Sequence, residues 1–340
     1  MRIIDNGNMN IRFFVILAAL SLAVAGCKKD NLDDVKLMMT GDPVISIDDY
    51  VLVGSSWSLE AGGITVPEEG VGYYWNIEGV VDDNDTTDVF NFTFNENYGT
   101  YRIRCVAFSD EYYDRSTNKY VVTVDTAFNK SLNIGEVPGT GIFTDDRDGR
   151  EYRYVTIGGL DWFISNLAYN KVGIPYMDSD VMWSVFGGYY TFEEAVSGYN
   201  GGQICPDGWR LPSENDWADL AASLAVRPES VDDGETYPGI VSAMMADVFF
   251  NDEKMWSYDP QSAPSNTSGF SAIPAGYYSQ GQFSGLNVYS MFWSSDVYEG
   301  AASEGGVYHY IYYKNADLKM NYADTAFRAS VRCVRDSSGI

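Results

Sequence analysis

The sequence predicts two folded domains of different class, an all-β sandwich followed by an α+β domain, carried behind an export signal. Three observations carry this reading. From about Pro43 to Val124 apolar and polar residues alternate at period two, the pattern of strands that bury one face. Two capping boxes, at Thr191-Phe192-Glu193-Glu194 and Ser213-Glu214-Asn215-Asp216, lie in the second half, and each opens a helix. Near the start, a short apolar run ends in small residues directly before a cysteine.

That run, Phe13–Val24, follows Arg12 and is too short to span a bilayer stably. Small residues at its end suit the tight pocket of a signal peptidase, and Val24-Ala25-Gly26-Cys27 looks like the lipobox of bacterial lipoproteins. Residues 1–26 are therefore expected to be a signal peptide, and Cys27 the site of acylation. The partner is then the bilayer of a Gram-negative outer membrane, and each buried methylene of the acyl chains adds about 0.8 kcal/mol of affinity for it. Met9 offers an alternative start that leaves Asn10-Ile11-Arg12 free of the acidic Asp5. Residues 27–41 are charged and poor in apolar side chains, and read as a solvated tether.

A formal net charge of −26 repels nucleic acid and anionic headgroups, so neither is expected as a partner. One histidine, His309, leaves no material for a histidine metal cluster and makes a Ser-His-Asp or Cys-His apparatus hard to build; no cofactor is expected. Of the four cysteines, Cys27 belongs to the lipid, leaving Cys105, Cys205 and Cys333. The envelope is oxidising, so one bridge is permitted and one thiol is left over.

In the sandwich, residues 42–125, Phe90, Phe92 and Phe94 alternate with polar neighbours, and Tyr101, Ile103 and Cys105 alternate with arginines, which turns Cys105 inward. Turn clusters at Gly62-Gly63, Asp82–Asp85 and Asn97–Gly99 separate the strands at sandwich spacing. Tyr74-Trp75-Asn76-Ile77 and Gly99–Ile103 resemble the PKD/immunoglobulin-like domains of bacterial surface proteins, which implies a spacer.

The second domain, residues 126–340, opens with a hairpin at Asp148-Gly149, between Ile142-Phe143 and Tyr152–Ile157. Asp145, Asp146 and Asp148 cluster there, as a polar turn would have them. The first capped helix ends at Gly198; the second shows Trp217, Leu220, Ala221 and Leu224 as one apolar stripe. Residues 225–268 read as loop with a short helix near Ile240–Phe249, and Phe270–Arg335 as strand and turn.

Four ordered segments of this domain resemble the Fibrobacter succinogenes major paralogous domain: Asp148–Leu167, Cys205–Ser213 with Trp217 and Leu220, Gly269–Tyr277 with Phe292–Ser295, and Ser330–Arg335. The family usually shows glutamine and methionine where this chain has Leu160 and Phe163. The resemblance implies a C-type-lectin-like fold, shared with formylglycine-generating enzymes, with two helices, a small twisted sheet and adjacent chain ends. That topology suits a bridge between Cys205, after the first helix, and Cys333, in the final strand.

The sugar-binding calcium triplets of C-type lectins are absent, and a reactive cysteine needs electropositive surroundings that this acidic chain lacks. A non-catalytic head that recognises an extracellular glycan or protein is therefore expected. A docking subunit of a surface assembly is the alternative, ahead of a formylglycine-type enzyme. Most tryptophans, including Trp209, Trp217 and Trp293, read as core. Trp256 and Tyr258 differ, since they sit in a polar, proline-containing loop over 252–267 beside Asp259, Gln261 and Asn266; these five are the candidate ligand contacts.

Overall fold

The structure is a computed structural model, and describes residues 35–94, 99–124, 141–198, 201–225, 236–251, 253–298 and 305–337. The expected signal, the expected acylation site Cys27 and most of the expected tether lie outside the described residues. Among the described residues no helix is long and apolar enough to cross a membrane.

The first half is built of strands, as the period-two pattern requires. They are β1 (Tyr50–Leu52), β2 (Ser56–Glu60), β3 (Ile64–Val66), β4 (Gly72–Ile77), β5 (Val81–Thr86), β6 (Val89–Thr93), β7 (Thr100–Phe108) and β8 (Arg115–Val124). A five-stranded sheet runs β1-β8-β7-β4-β5, with β1 parallel to β8 and the other neighbours antiparallel. A second, two-stranded layer pairs β2 with β6. Both layers contribute to one core: Trp75, Ile77, Ile103, Cys105 and Val121 from the first, and Leu59 and Phe90 from the second. Trp75 stacks on Phe90 at 5.6 Å between ring centroids. Cys105 faces inward as its alternation predicts, and burial pushes its thiol up to about 12, far from ionisation at neutral pH.

The second half opens with the predicted hairpin, β9 (Gly141–Thr144) antiparallel to β10 (Glu151–Ile157). Gly149 takes φ 74° in the connection, a conformation that disfavours side chains. β11 (Leu160–Phe163) extends this sheet and pairs with β17 (Val334–Asp336), so the first and last strands of the domain share one four-stranded sheet. Further strands are β12 (Tyr277–Ser279), β13 (Gln282–Ser284), β14 (Tyr289–Val297), β15 (Gly306–Tyr312) and β16 (Leu318–Ala323).

Among the described residues four α-helices accompany them: α1 (Met182–Phe186), α2 (Phe192–Ser197), α3 (Glu214–Leu224) and α4 (Val241–Met244). Both capping boxes form in full. Thr191 Oγ1 accepts the Glu194 amide at 3.1 Å while Glu194 Oε2 accepts the Thr191 amide at 2.8 Å, and Ser213 and Asp216 exchange the same bonds. The helix expected over 240–249 makes only one turn, because Met245 is already extended and bridges Ala272. α1 carries no side-chain cap, which is why no start signal marks it in the sequence.

The cysteine pair implied by the family resemblance is present: Cys205 and Cys333 are bonded, with Cα atoms 5.8 Å apart. Trp162, Trp209, Trp217 and Trp293 are all essentially fully buried. The two halves touch through Tyr50, whose amide donates to Ser179 Oγ at 3.2 Å, and through Asn251 Nδ2, which donates to the Thr123 carbonyl at 3.1 Å.

Candidate functional site

The loop over 252–267 does not present the surface that its composition suggested. Trp256 is only 5% exposed and belongs to the core, with its Nε1 donating to the Ala272 carbonyl at 3.3 Å. This corrects the expectation that its ring is free for a ligand. The cause lies in the backbone: the Met255 amide bonds the Val248 carbonyl at 2.9 Å and the Ser257 amide bonds that of Asn287 at 3.1 Å, which pins the segment and turns the indole inward. Tyr258 is 80% exposed and Gln261 is also exposed, while the half-buried Asp259 accepts the Gln261 amide in a turn. Asn266 is a brace. Its side chain accepts the Ser271 amide at 2.9 Å and donates to Ser271 Oγ at 2.9 Å.

Ser271 leads to a different site. It lines an open cavity of about 620 Å³ bordered by the β9–β10 hairpin, the segment after β11, helix α1 and the residue before Cys333. That volume lies within the range of small-ligand sites, about 300–1,000 Å³. Exposed Ile142, Glu151 and Ser184 form the rim, and buried Asn166, Ser271 and Arg332 form the floor. Trp183, Val185 and Ile273 supply apolar wall.

Arg332 dominates the floor. Its side chain is fully buried, and its guanidinium donates to Asn166 Oδ1 at 2.8 Å, to the carbonyls of Phe163 and Phe270 at 3.0 and 2.6 Å, and to that of Ser271 at 3.0 Å. It also lies over the rings of Phe270 and Phe292, at 4.7 and 5.2 Å. These acceptors are all neutral. Burial pushes the guanidinium down to about 9, which leaves it charged at neutral pH. One of its carbonyl partners, Ser271, and the residue that braces it, Asn266, have unusual backbone. Ser271 has φ 60° and Asn266 φ 48°, left-handed conformations that cost a non-glycine residue about 1–3 kcal/mol each and concentrate where function fixes geometry. Asn166, held by donation to the Phe186 carbonyl at 2.8 Å, packs so closely that a Cβ at Gly187 would lie 2.6 Å from its own Cβ.

Two more arginines line the wall, Arg150 and Arg153, against one carboxylate, Glu151. Arg150 reaches Ser184 Oγ at 3.5 Å, and among the described residues it forms no salt bridge. A protein that is strongly acidic overall thus collects three cations around one concavity.

The hairpin aspartates are differently engaged. Asp145 is buried and gripped by Arg147 at 2.7 Å, and Arg147 lies 4.0 Å over the Tyr169 ring. Among the described residues no group of three or more His, Cys, Asp or Glu side chains is placed to hold a metal ion. His309 is buried between Trp217 and Tyr237, and its Nε2 meets both Glu214 carboxylate oxygens at 3.0 and 3.1 Å.

Residues 155–335 match the Fibrobacter succinogenes major domain, over half of the chain. The chain belongs to that family. No curated protein and no solved structure matched it. The Fibrobacter succinogenes major domain contributes the cavity floor, Asn166, Ser271 and Arg332, whereas Ile142 and the Arg150–Arg153 stretch come from the hairpin strands just ahead of the matched span. Sequence reasoning read Arg332 only as part of the closing signature. Its signal was available: one charge inside Ser330-Val331-Arg332-Cys333-Val334, a segment otherwise fit for the core, marks a buried cation with a purpose.

Proposed function

We propose that this chain is a lipid-anchored envelope protein whose Fibrobacter succinogenes major domain is a non-catalytic head that binds an extracellular glycan in the arginine-lined cavity. The observation that carries the reading is the cavity itself, with polar groups converging on a preformed, partly apolar hollow of about 620 Å³. Its lining holds no histidine or cysteine, and its serines, Ser165, Ser184 and Ser271, have no adjacent histidine to activate them. A C-type-lectin-like arrangement is supported by the first and last strands sharing one sheet and by the Cys205–Cys333 bridge. The β-rich first half fits a PKD-like spacer that carries the head away from an acyl anchor at Cys27. The test is a glycan array probed with the full chain, followed by calorimetry on the hits. Saturable glycan binding that is lost when the cavity is altered at Ser184→Trp supports the reading, and binding that survives this change removes the cavity from it.

A further inference from the structure

The cavity says what kind of glycan it takes. Its lining carries three arginines and a single carboxylate, and the floor arginine is fully buried without a carboxylate of its own among the described residues. Four of the five guanidinium hydrogens of Arg332 are spent on neutral acceptors, so its hydrogen bonds are met while no described carboxylate balances its charge. A full positive charge is costly to bury, and a ligand anion is the natural counterpart to it. Arg150, half-buried on the wall, supplies the planar fork that grips a carboxylate through two parallel bonds.

The remaining lining chooses among anions. Ser165 and Ser184 offer hydroxyl groups suited to sugar hydroxyls, and Trp183 and Ile273 offer flat or apolar wall suited to a sugar ring's apolar face. A compact inorganic anion uses none of that wall, and an extended acidic peptide lacks the matching hydroxyls. Resting on the glycan-binding reading above, we infer that the cavity recognises a carboxylated sugar, a uronic-acid unit of an acidic polysaccharide, with the carboxylate directed to the arginine side. Long-range repulsion by the acidic surface does not forbid this, because at physiological salt it is screened beyond about 8 Å while the arginines act at contact.

The experiment is titration calorimetry on the full chain with three probes: a galacturonic acid tetramer, the same tetramer with its carboxyls reduced to alcohols, and a glutamate tetrapeptide. The acidic sugar is expected to bind at least 10-fold more tightly than either of the others. Arg150→Ala is expected to lower its affinity about 10-fold and Arg150→Glu to abolish it, with the melting temperature of both variants unchanged, since among the described residues the Arg150 side chain makes one long, exposed hydrogen bond, to Ser184 Oγ at 3.5 Å. Equal binding of the reduced tetramer overturns the uronate assignment while leaving the glycan-binding reading intact. Equal binding of the peptide overturns both, as does unaltered uronate affinity in Arg150→Glu, because the cavity is then not the site.

Discussion

Arg332 holds four acceptors at once: one amide oxygen and three carbonyls drawn from segments more than 60 residues away in sequence. Removing it leaves those acceptors buried and unmet, at roughly 1–3 kcal/mol for each that water cannot reach. Arg332→Met is therefore expected to destabilise the domain by at least about 3 kcal/mol in urea unfolding, and a loss under about 1 kcal/mol would show that water replaces the guanidinium. Trp256 makes the opposite point about reading single residues. Its polar neighbours suggested an exposed ring, yet it is core, so Trp256→Ala is expected to cost about 3–5 kcal/mol and to leave glycan affinity untouched at the temperatures where the protein stays folded. Composition reports what surrounds a residue along the chain. It cannot report that Val248 and Asn287 will bond the neighbouring amides and turn the ring inward. Arg332 escaped for a related reason: its partners come from distant segments, and only the fold brings them to one point.

At the level of elements, local signals were legible and non-local ones were not. The hairpin at Asp148-Gly149 and both capped helices follow from residues within a few positions of one another, and all three form where expected. α1 has no cap, and it is the helix that brings Trp183 and Ser184 to the cavity, so the site could not be assembled from sequence. The cap of α3 also sets an acid response. Burial alone would raise the Asp216 carboxyl, but the bonds from Arg210 and Ser213 outweigh it and hold it below its usual value. A group whose acidity is strengthened by folding stabilises the protein above its unfolded value, and that contribution is lost as pH falls through the lower, folded one. Stability is thus expected to drop as pH falls below about 4, and Asp216→Asn is expected to be less stable at pH 7 and to show a shallower drop there. An unchanged slope in denaturant titrations between pH 5 and about 2 would assign the acid response to other carboxylates. Thr191→Ala, measured the same way, is expected to cost about 1 kcal/mol at the start of α2, and somewhat more because Glu194, freed from the box, also positions Arg328 at 2.6 Å.

For the whole molecule, the cysteines define the organisation. Cys27→Ser is expected to abolish fatty-acid labelling and release the protein from membranes; unchanged labelling would rule out an anchor there. Peptide mapping without reduction is expected to show Cys205 joined to Cys333 and Cys105 resistant to alkylation until unfolding, since Cys105 is buried and its thiol poorly ionised. Reduction is expected to cost on the order of 5 kcal/mol, the chain-entropy value for so long a loop. The same bridge governs how the chain behaves as a rope. Cys205 and Cys333 are 128 residues apart, and when the two ends of the protein are drawn apart by force, everything between them is bypassed by a single covalent link. At about 3.4 Å per extended residue, roughly 435 Å of slack is withheld as long as the bridge is intact. In a single-molecule stretching trace the oxidised chain should reach full length that much sooner than the reduced one, so a cell tethered through this protein would be held on a short leash or a long one according to the redox state outside it.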